Sequence, residues 1–201
     1  NRVEEIDAAA GSAGFPVGPI TLMDEVGIDV GTKVIKVMRE AYGNRMEFPT
    51  EEEVASFMTG GRLGRKANKG FYLYEDGESK LANGKKIVDE EVYALIPKGG
   101  DQKQSSREEM VERMVLSLAN EVIWCLHDKI LREPKAGDLG AVMGIGFPPF
   151  LGGPLFYCDQ RGLSDVLESL KALEAKHGAR FKPCPLLEEY VAAGRSFHED
   201  A

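Results

Sequence analysis

Apolar residues recur at helical spacing along most of the chain. Val30, Val34, Val37, Met38 and Ala41 share one face between Asp29 and Tyr42, and Gly43 follows as a stop. Val3 to Ala10 reads as a helix ended by Gly11 and Gly14. Thr50 with Glu53 makes a capping box at the head of another helix, which stops at Gly60 and Gly61. Asp89 to Ile96 predicts a short helix. The longest pattern opens on a second capping box, Ser106 with Glu109, and is apolar nearly all round from Met114 to Leu126, the mark of a central helix. Ser164 is the expected cap of a helix to His177, with Val166, Leu167, Leu170 and Leu173 inward and Gly178 as the stop. Pro183 and Pro185 lead into a last helix, Leu186 to Ala193, ended by Gly194.

One segment leaves the helical period. "GFYLYEDGESKLANGKKI", residues 70–87, alternates aromatic residues and carries Asp76-Gly77 and Asn83-Gly84. Both dipeptides favour tight hairpin turns, so the segment predicts a short strand-like or hairpin excursion. Charge and Gly/Ser content over 77–105 suggest an exposed linker there. The expected architecture is mainly α, with two helical domains at 1–100 and 101–201.

A longer pattern repeats. "GFPVGPITLMDEVG" from Gly14 returns in altered form as "GFPPFLGGPLFYCDQRG" from Gly146. Pro19, Asp24 and Gly27 correspond to Pro154, Asp159 and Gly162, at intervals of five and three residues in both copies. An Asp-led helical segment precedes each copy, at Asp7 and Asp138, and an amphipathic helix follows each. Glycine permits positive φ at such an elbow and proline fixes φ near −65°. The motif reads first as a rigid corner packing two helices and second as a corner kept rigid for a ligand.

Charge narrows the partners. A net charge of −8 and a pI near 5.1 argue against nucleic acid or an anionic membrane surface. No apolar run approaches the ~18 residues of a membrane span. Three cysteines, Cys125, Cys158 and Cys184, suit buried thiols better than a disulfide framework, and Cys125-x-His127 lacks a second ligand pair for zinc, so no metal is expected. The chain opens in what reads as mid-helix, without initiator Met or signal segment, as a piece of a longer chain would.

"GFPVGPITLMDEVGIDVG", "GRKANKGFYLY" and "GIGFPPFLGGP", taken together, resemble the C-terminal 3-hydroxyacyl-CoA dehydrogenase helical domains of the fatty-acid β-oxidation multifunctional enzyme α subunit. The resemblance implies two tandem helical domains that line an acyl-CoA cleft and support assembly. It implies oxidation of L-3-hydroxyacyl-CoA to 3-ketoacyl-CoA with NAD as cofactor, in an enzyme that also carries an enoyl-CoA hydratase domain. The NAD-binding domain and its catalytic His/Glu pair belong to the part preceding these helices, so this chain alone is expected to be inactive, with no catalytic, cofactor-binding or metal residue of its own. Gly144 to Pro149 comes nearest to a dinucleotide loop, but Pro149 stands where a third glycine is required.

The same resemblance assigns substrate lining to Gly14, Pro16, Gly18, Pro19 and Met143, the last at a position often aromatic in the family. Asn68 stands where relatives carry Gly. Arg62, Arg65, Lys66 and Lys69 read either as CoA-phosphate contacts or as cations compensating a helix C-terminus. His127, His177 and His198 lie outside the family's catalytic motif, and Asn120 reads as a structural residue bonding backbone. The implied partners are acyl-CoA, a thiolase β subunit and a second copy of the chain, in a bacterial cytoplasm or a mitochondrial matrix. A helical interaction or dimerisation module without catalytic role is the alternative.

Overall fold

The computed structural model describes residues 1–46, 48–96 and 104–198. Among them ten α-helices and two small antiparallel hairpins form, so the chain is mainly α, as the pattern of apolar positions predicts. The backbone divides into two compact units. The domain boundary expected at residues 100 and 101 lies outside the described residues.

The first unit comprises Asn1–Ser12 and Val17–Arg107. It contains α1 (Val3–Ser12), α2 (Pro19–Val26), α3 (Ile28–Tyr42), α4 (Glu51–Met58) and α5 (Val92–Leu95). Pro19 is the first residue of α2, where its missing N–H costs nothing. Gly27, at φ 100°, ends α2 and at once opens α3, a conformation that a side chain would strain. The capping box at α4 forms in both directions, Glu53 N–H donating to Thr50 Oγ1 at 3.2 Å and Thr50 N–H to Glu53 Oε2 at 2.7 Å.

The excursion is two hairpins. β1 (Tyr74–Glu75) pairs with β2 (Glu78–Ser79), and β3 (Leu81–Ala82) with β4 (Lys85–Lys86). Asp76-Gly77 and Asn83-Gly84 supply consecutive positive φ angles at the two turns. Val3, Ile28, Phe57, Phe71, Tyr72, Tyr74 and Val92 make the unit's core.

Val30, Val34 and Val37 of α3 share a face as expected, and that face is outward, at 38%, 48% and 66% exposed. Helical period fixes which residues share a stripe, not whether a neighbour covers it. The exposed linker is shorter than expected, because Val92 is wholly buried and Asp89 holds Arg62 inside the unit.

The second unit comprises Ala13–Pro16 and Glu108–Ala201. Its helices are α6 (Arg107–His127), α7 (Pro134–Ile145), α8 (Pro154–Arg161), α9 (Leu163–His177) and α10 (Pro185–Ala193). No residue of α6 from Met110 to Leu126 is exposed, which makes it the central helix the sequence predicts. Its Leu116 and Ile123 are fully buried in one core with Leu155, Val166, Leu170 and Leu187. The cap of α9 is Gly162, not Ser164. At φ 93° Gly162 turns the chain straight from α8 into α9, so the helix starts at Leu163 and leaves Ser164 inside its first turn.

The two units follow one order of elements. α2 and α8 have 8 residues each, and α3 and α9 have 15 each. Proline opens both shorter helices, and a glycine joins each to its longer successor. A 3-10 turn and a further short helix, α4 or α10, then follow.

Candidate functional site

The elbows are built on paired carboxylates. In the first unit Asp7, on α1, accepts from the N–H groups of Ile20 and Thr21 at 2.8 and 2.9 Å, so it caps α2 from outside the helix. A Cβ on Gly18 would collide with the Asp7 carboxylate, and glycine is what allows this approach. Asp24, near the end of α2, is fully buried. It accepts from the N–H groups of Phe71 and Tyr72, both at 2.9 Å, and from the Tyr74 hydroxyl at 3.0 Å. Tyr72 then donates its hydroxyl to Asp7 at 2.8 Å, joining the two carboxylates.

The second unit repeats the arrangement. Asp138, on α7, accepts from the N–H groups of Leu155 at 2.7 Å and Phe156 at 3.2 Å, and a Cβ on Gly153 would strike it. Asp159, near the end of α8, accepts from the N–H groups of Phe197 and His198 at 2.8 and 2.9 Å. His198 joins the two carboxylates, its Nδ1 2.8 Å from Asp159 and its Nε2 3.0 Å from Asp138. Sequence reading singled out all four aspartates as an echo but found neither their donors nor Tyr72 and His198.

Burial sets the electrostatics. It pushes the Asp24 carboxyl up, opposed by the two backbone N–H groups and the Tyr74 hydroxyl. Asp138 is likewise raised by burial, opposed by Leu155, Phe156 and His198. Tyr72 and Tyr74 are raised by burial and by the carboxylates beside them, so both phenols stay protonated as donors.

The residues expected to line substrate fall into two groups. Gly18 and Pro19 head α2 in the first unit. Gly14 and Pro16 fold with the second. There Gly14, at φ 92°, lies under the Phe150 ring, and Pro16 comes within 3.0 Å of where a Gly146 Cβ would stand. Phe15 and Phe147, the echoed phenylalanines, meet edge to face with ring centres 6.2 Å apart. Met143 projects from α7 with 78% of its surface exposed, and Phe150 is 74% exposed. The first unit also holds an apolar cleft of about 420 Å³, lined by Val3, Ile20, Ile35, Phe57, Phe71 and Ile96 among others, and none of the expected lining residues borders it.

Other candidates have structural partners. Arg62 is buried and bonds Asp89 at 2.5 Å and the Gly70 carbonyl at 2.7 Å. Arg65 pairs with Glu25, Lys66 with Asp29 and Lys69 with Glu91. Each of these cations is matched by a carboxylate of its own unit. Asn68 adopts the left-handed conformation expected of it, at φ 57°. Asn120 spans from α6 to the loop before α10, donating to the Lys182 carbonyl and accepting from Cys184 N–H. His127 pairs with Asp128 and His177 with Glu109.

The string at residues 144–149 is not a dinucleotide loop. Gly144 and Ile145 are the end of α7 and Gly146 its left-handed cap, so the glycine string leaves a helix. A dinucleotide loop leaves a strand and opens a helix whose N-terminal N–H groups point at the phosphates. Among the described residues no group of three or more His, Cys, Asp or Glu side chains could hold a metal ion.

Residues 1–74 match the family model described as 3-hydroxyacyl-CoA dehydrogenase, C-terminal domain. This bears out over those residues the resemblance carried by the sequence motifs. Two solved structures share the fold. 3-Hydroxybutyryl-CoA dehydrogenase from Escherichia coli K12 is 22% identical at a TM-score of 0.69, over 96% of this chain and 55% of its own. The dehydrogenase part of multifunctional enzyme 1 from C. elegans is 22% identical at a TM-score of 0.64, over 92% of this chain and 41% of its own. The chain thus spans about half the length of these relatives.

Proposed function

We propose that the chain is the tandem helical part of an L-3-hydroxyacyl-CoA dehydrogenase of the β-oxidation multifunctional type. The observation that carries this reading is the match of residues 1–74 to the dehydrogenase C-terminal domain. The shared element order and the matching Asp7/Asp24 and Asp138/Asp159 anchors support a duplicated domain. In this role Gly14, Pro16, Gly18, Pro19 and Met143 border the acyl-CoA, and a separate domain supplies the NAD site and the His/Glu base that takes the hydroxyl proton while NAD accepts the hydride. The elbows contribute rigidity: glycines admit close approach, prolines fix the backbone, and buried carboxylates hold both sides. An exposed thioether and aromatic ring, Met143 and Phe150, offer apolar surface suited to an acyl chain. The uncovered Val30, Val34 and Val37 face of α3 suits assembly, for which a thiolase-type subunit is the partner on this reading.

A photoreactive 3-ketoacyl-CoA analogue tests the assignment. It is applied to a fusion carrying a dehydrogenase NAD-binding domain ahead of residue 1, and the labelled peptides are read by mass spectrometry. Label within 14–19 or at Met143, competed by unmodified acyl-CoA, is the expected result. Competed label confined to the apolar cleft of the first unit would contradict it.

A further inference from the structure

The two units close their carboxylate pairs with different chemistry. In the first, Tyr72 uses its backbone N–H for Asp24 and its hydroxyl for Asp7. The phenol is neutral and needs to donate only once. In the second, the backbone N–H of His198 serves Asp159, but its ring touches both carboxylates, Nδ1 at 2.8 Å and Nε2 at 3.0 Å. The His198 side chain is 8% exposed, and those of Asp138 and Asp159 are 8% and 11% exposed. Neutral imidazole carries one N–H, so with both carboxylates ionised one of its two nitrogens would face a carboxylate oxygen lone pair to lone pair. Only the imidazolium donates in both directions.

We propose that His198 is a proton-operated clasp that holds the segment leading from α10 onto α7 and α8. The groups facing it are Asp138 from α7 and, from α8, Asp159 and the Phe156 ring. Beside these carboxylates, burial first and then Asp159 and Asp138 push the Cys158 thiol up to about 12. The clasp is closed while the ring donates to both carboxylates and loosens when the ring gives up one of its two protons. Its opening releases Phe197, which is 6% exposed and stacks on Tyr190 with ring centres 5.0 Å apart. Tyr72 carries no such switch, since burial and Asp7 raise its titration further. The inference stands on the second unit's geometry and does not depend on the dehydrogenase reading.

Two measurements on the 201-residue chain test it. Long-range 15N NMR reads the protonation of the His198 ring, and amide exchange compares Phe197 and His198 with Phe71 and Tyr72 as internal controls. The expected result is hydrogen on both ring nitrogens in the closed state. Between about pH 6 and about pH 9, protection at Phe197 and His198 should fall about tenfold or more against the controls, the weight of one charge-assisted hydrogen bond. His198→Tyr should keep the protection and abolish its pH response. A singly protonated ring in the closed state, or constant relative protection in the natural chain, would overturn the proposal even if the variant fails to fold.

Discussion

Asp24 lies at the centre of the first unit as a buried acceptor with three donors, two of them backbone N–H groups that have no water to turn to. Asp24→Ala strands all three and is expected to cost about 3 kcal/mol or more, read as a lower urea midpoint at unchanged slope. The pH dependence has a definite sign. Burial raises the folded carboxyl above its usual range, so the folded state holds the proton more tightly than the unfolded chain does. That contribution is present below the unfolded value and is lost as pH rises through the folded one. Relative to the natural chain, Asp24→Asn should therefore gain stability as pH rises above the unfolded carboxyl's range, in paired urea titrations. The aspartates were visible in the sequence as an echo, but their role was not. Their donors lie 47 and 48 residues away for Asp24 and 38 and 39 for Asp159, and no periodicity links an acceptor to a remote N–H. The available signal was that Phe71-Tyr72 and Phe197-His198 each place an aromatic pair late in its unit.

At the level of elements, a glycine is costly to replace where something approaches it. Gly18→Ala pushes a methyl into the Asp7 carboxylate and dislodges the cap of α2; Gly153→Ala does the same to Asp138 and α8, with the added strain of φ 116°. Each is expected to lose about 2 kcal/mol. Gly140, inside α7, has nothing within 4 Å of a new Cβ, and Gly140→Ala should gain about 0.5–1 kcal/mol from helix propensity. Thermal melting of the three variants checks the contrast, and equal effects would contradict it. Long helices such as α6 were legible because many positions report one period. α2 and α8 were not singled out, because Gly-Pro at their heads reads as a turn although proline also suits a first helical residue. The outward face of α3 shows the complementary limit: amphipathicity reveals the stripe, and only the surrounding elements decide its burial.

For the whole molecule, the mainly α class and the two-part order were legible because capping boxes, glycine stops and the repeated elbow agree with one another. The expected substrate residues were drawn from likeness, and the structure places them in two groups, Gly18 and Pro19 in one unit and Gly14, Pro16 and Met143 in the other. The dehydrogenase reading is tested most directly by following NADH at 340 nm with acetoacetyl-CoA. The chain alone is compared with the chain fused behind a dehydrogenase NAD-binding domain. The account predicts no turnover by the chain alone and acetoacetyl-CoA-dependent NADH oxidation by the fusion, above that of the NAD-binding domain by itself. Turnover by these residues alone, or a folded fusion no faster than its isolated NAD-binding domain, would contradict it.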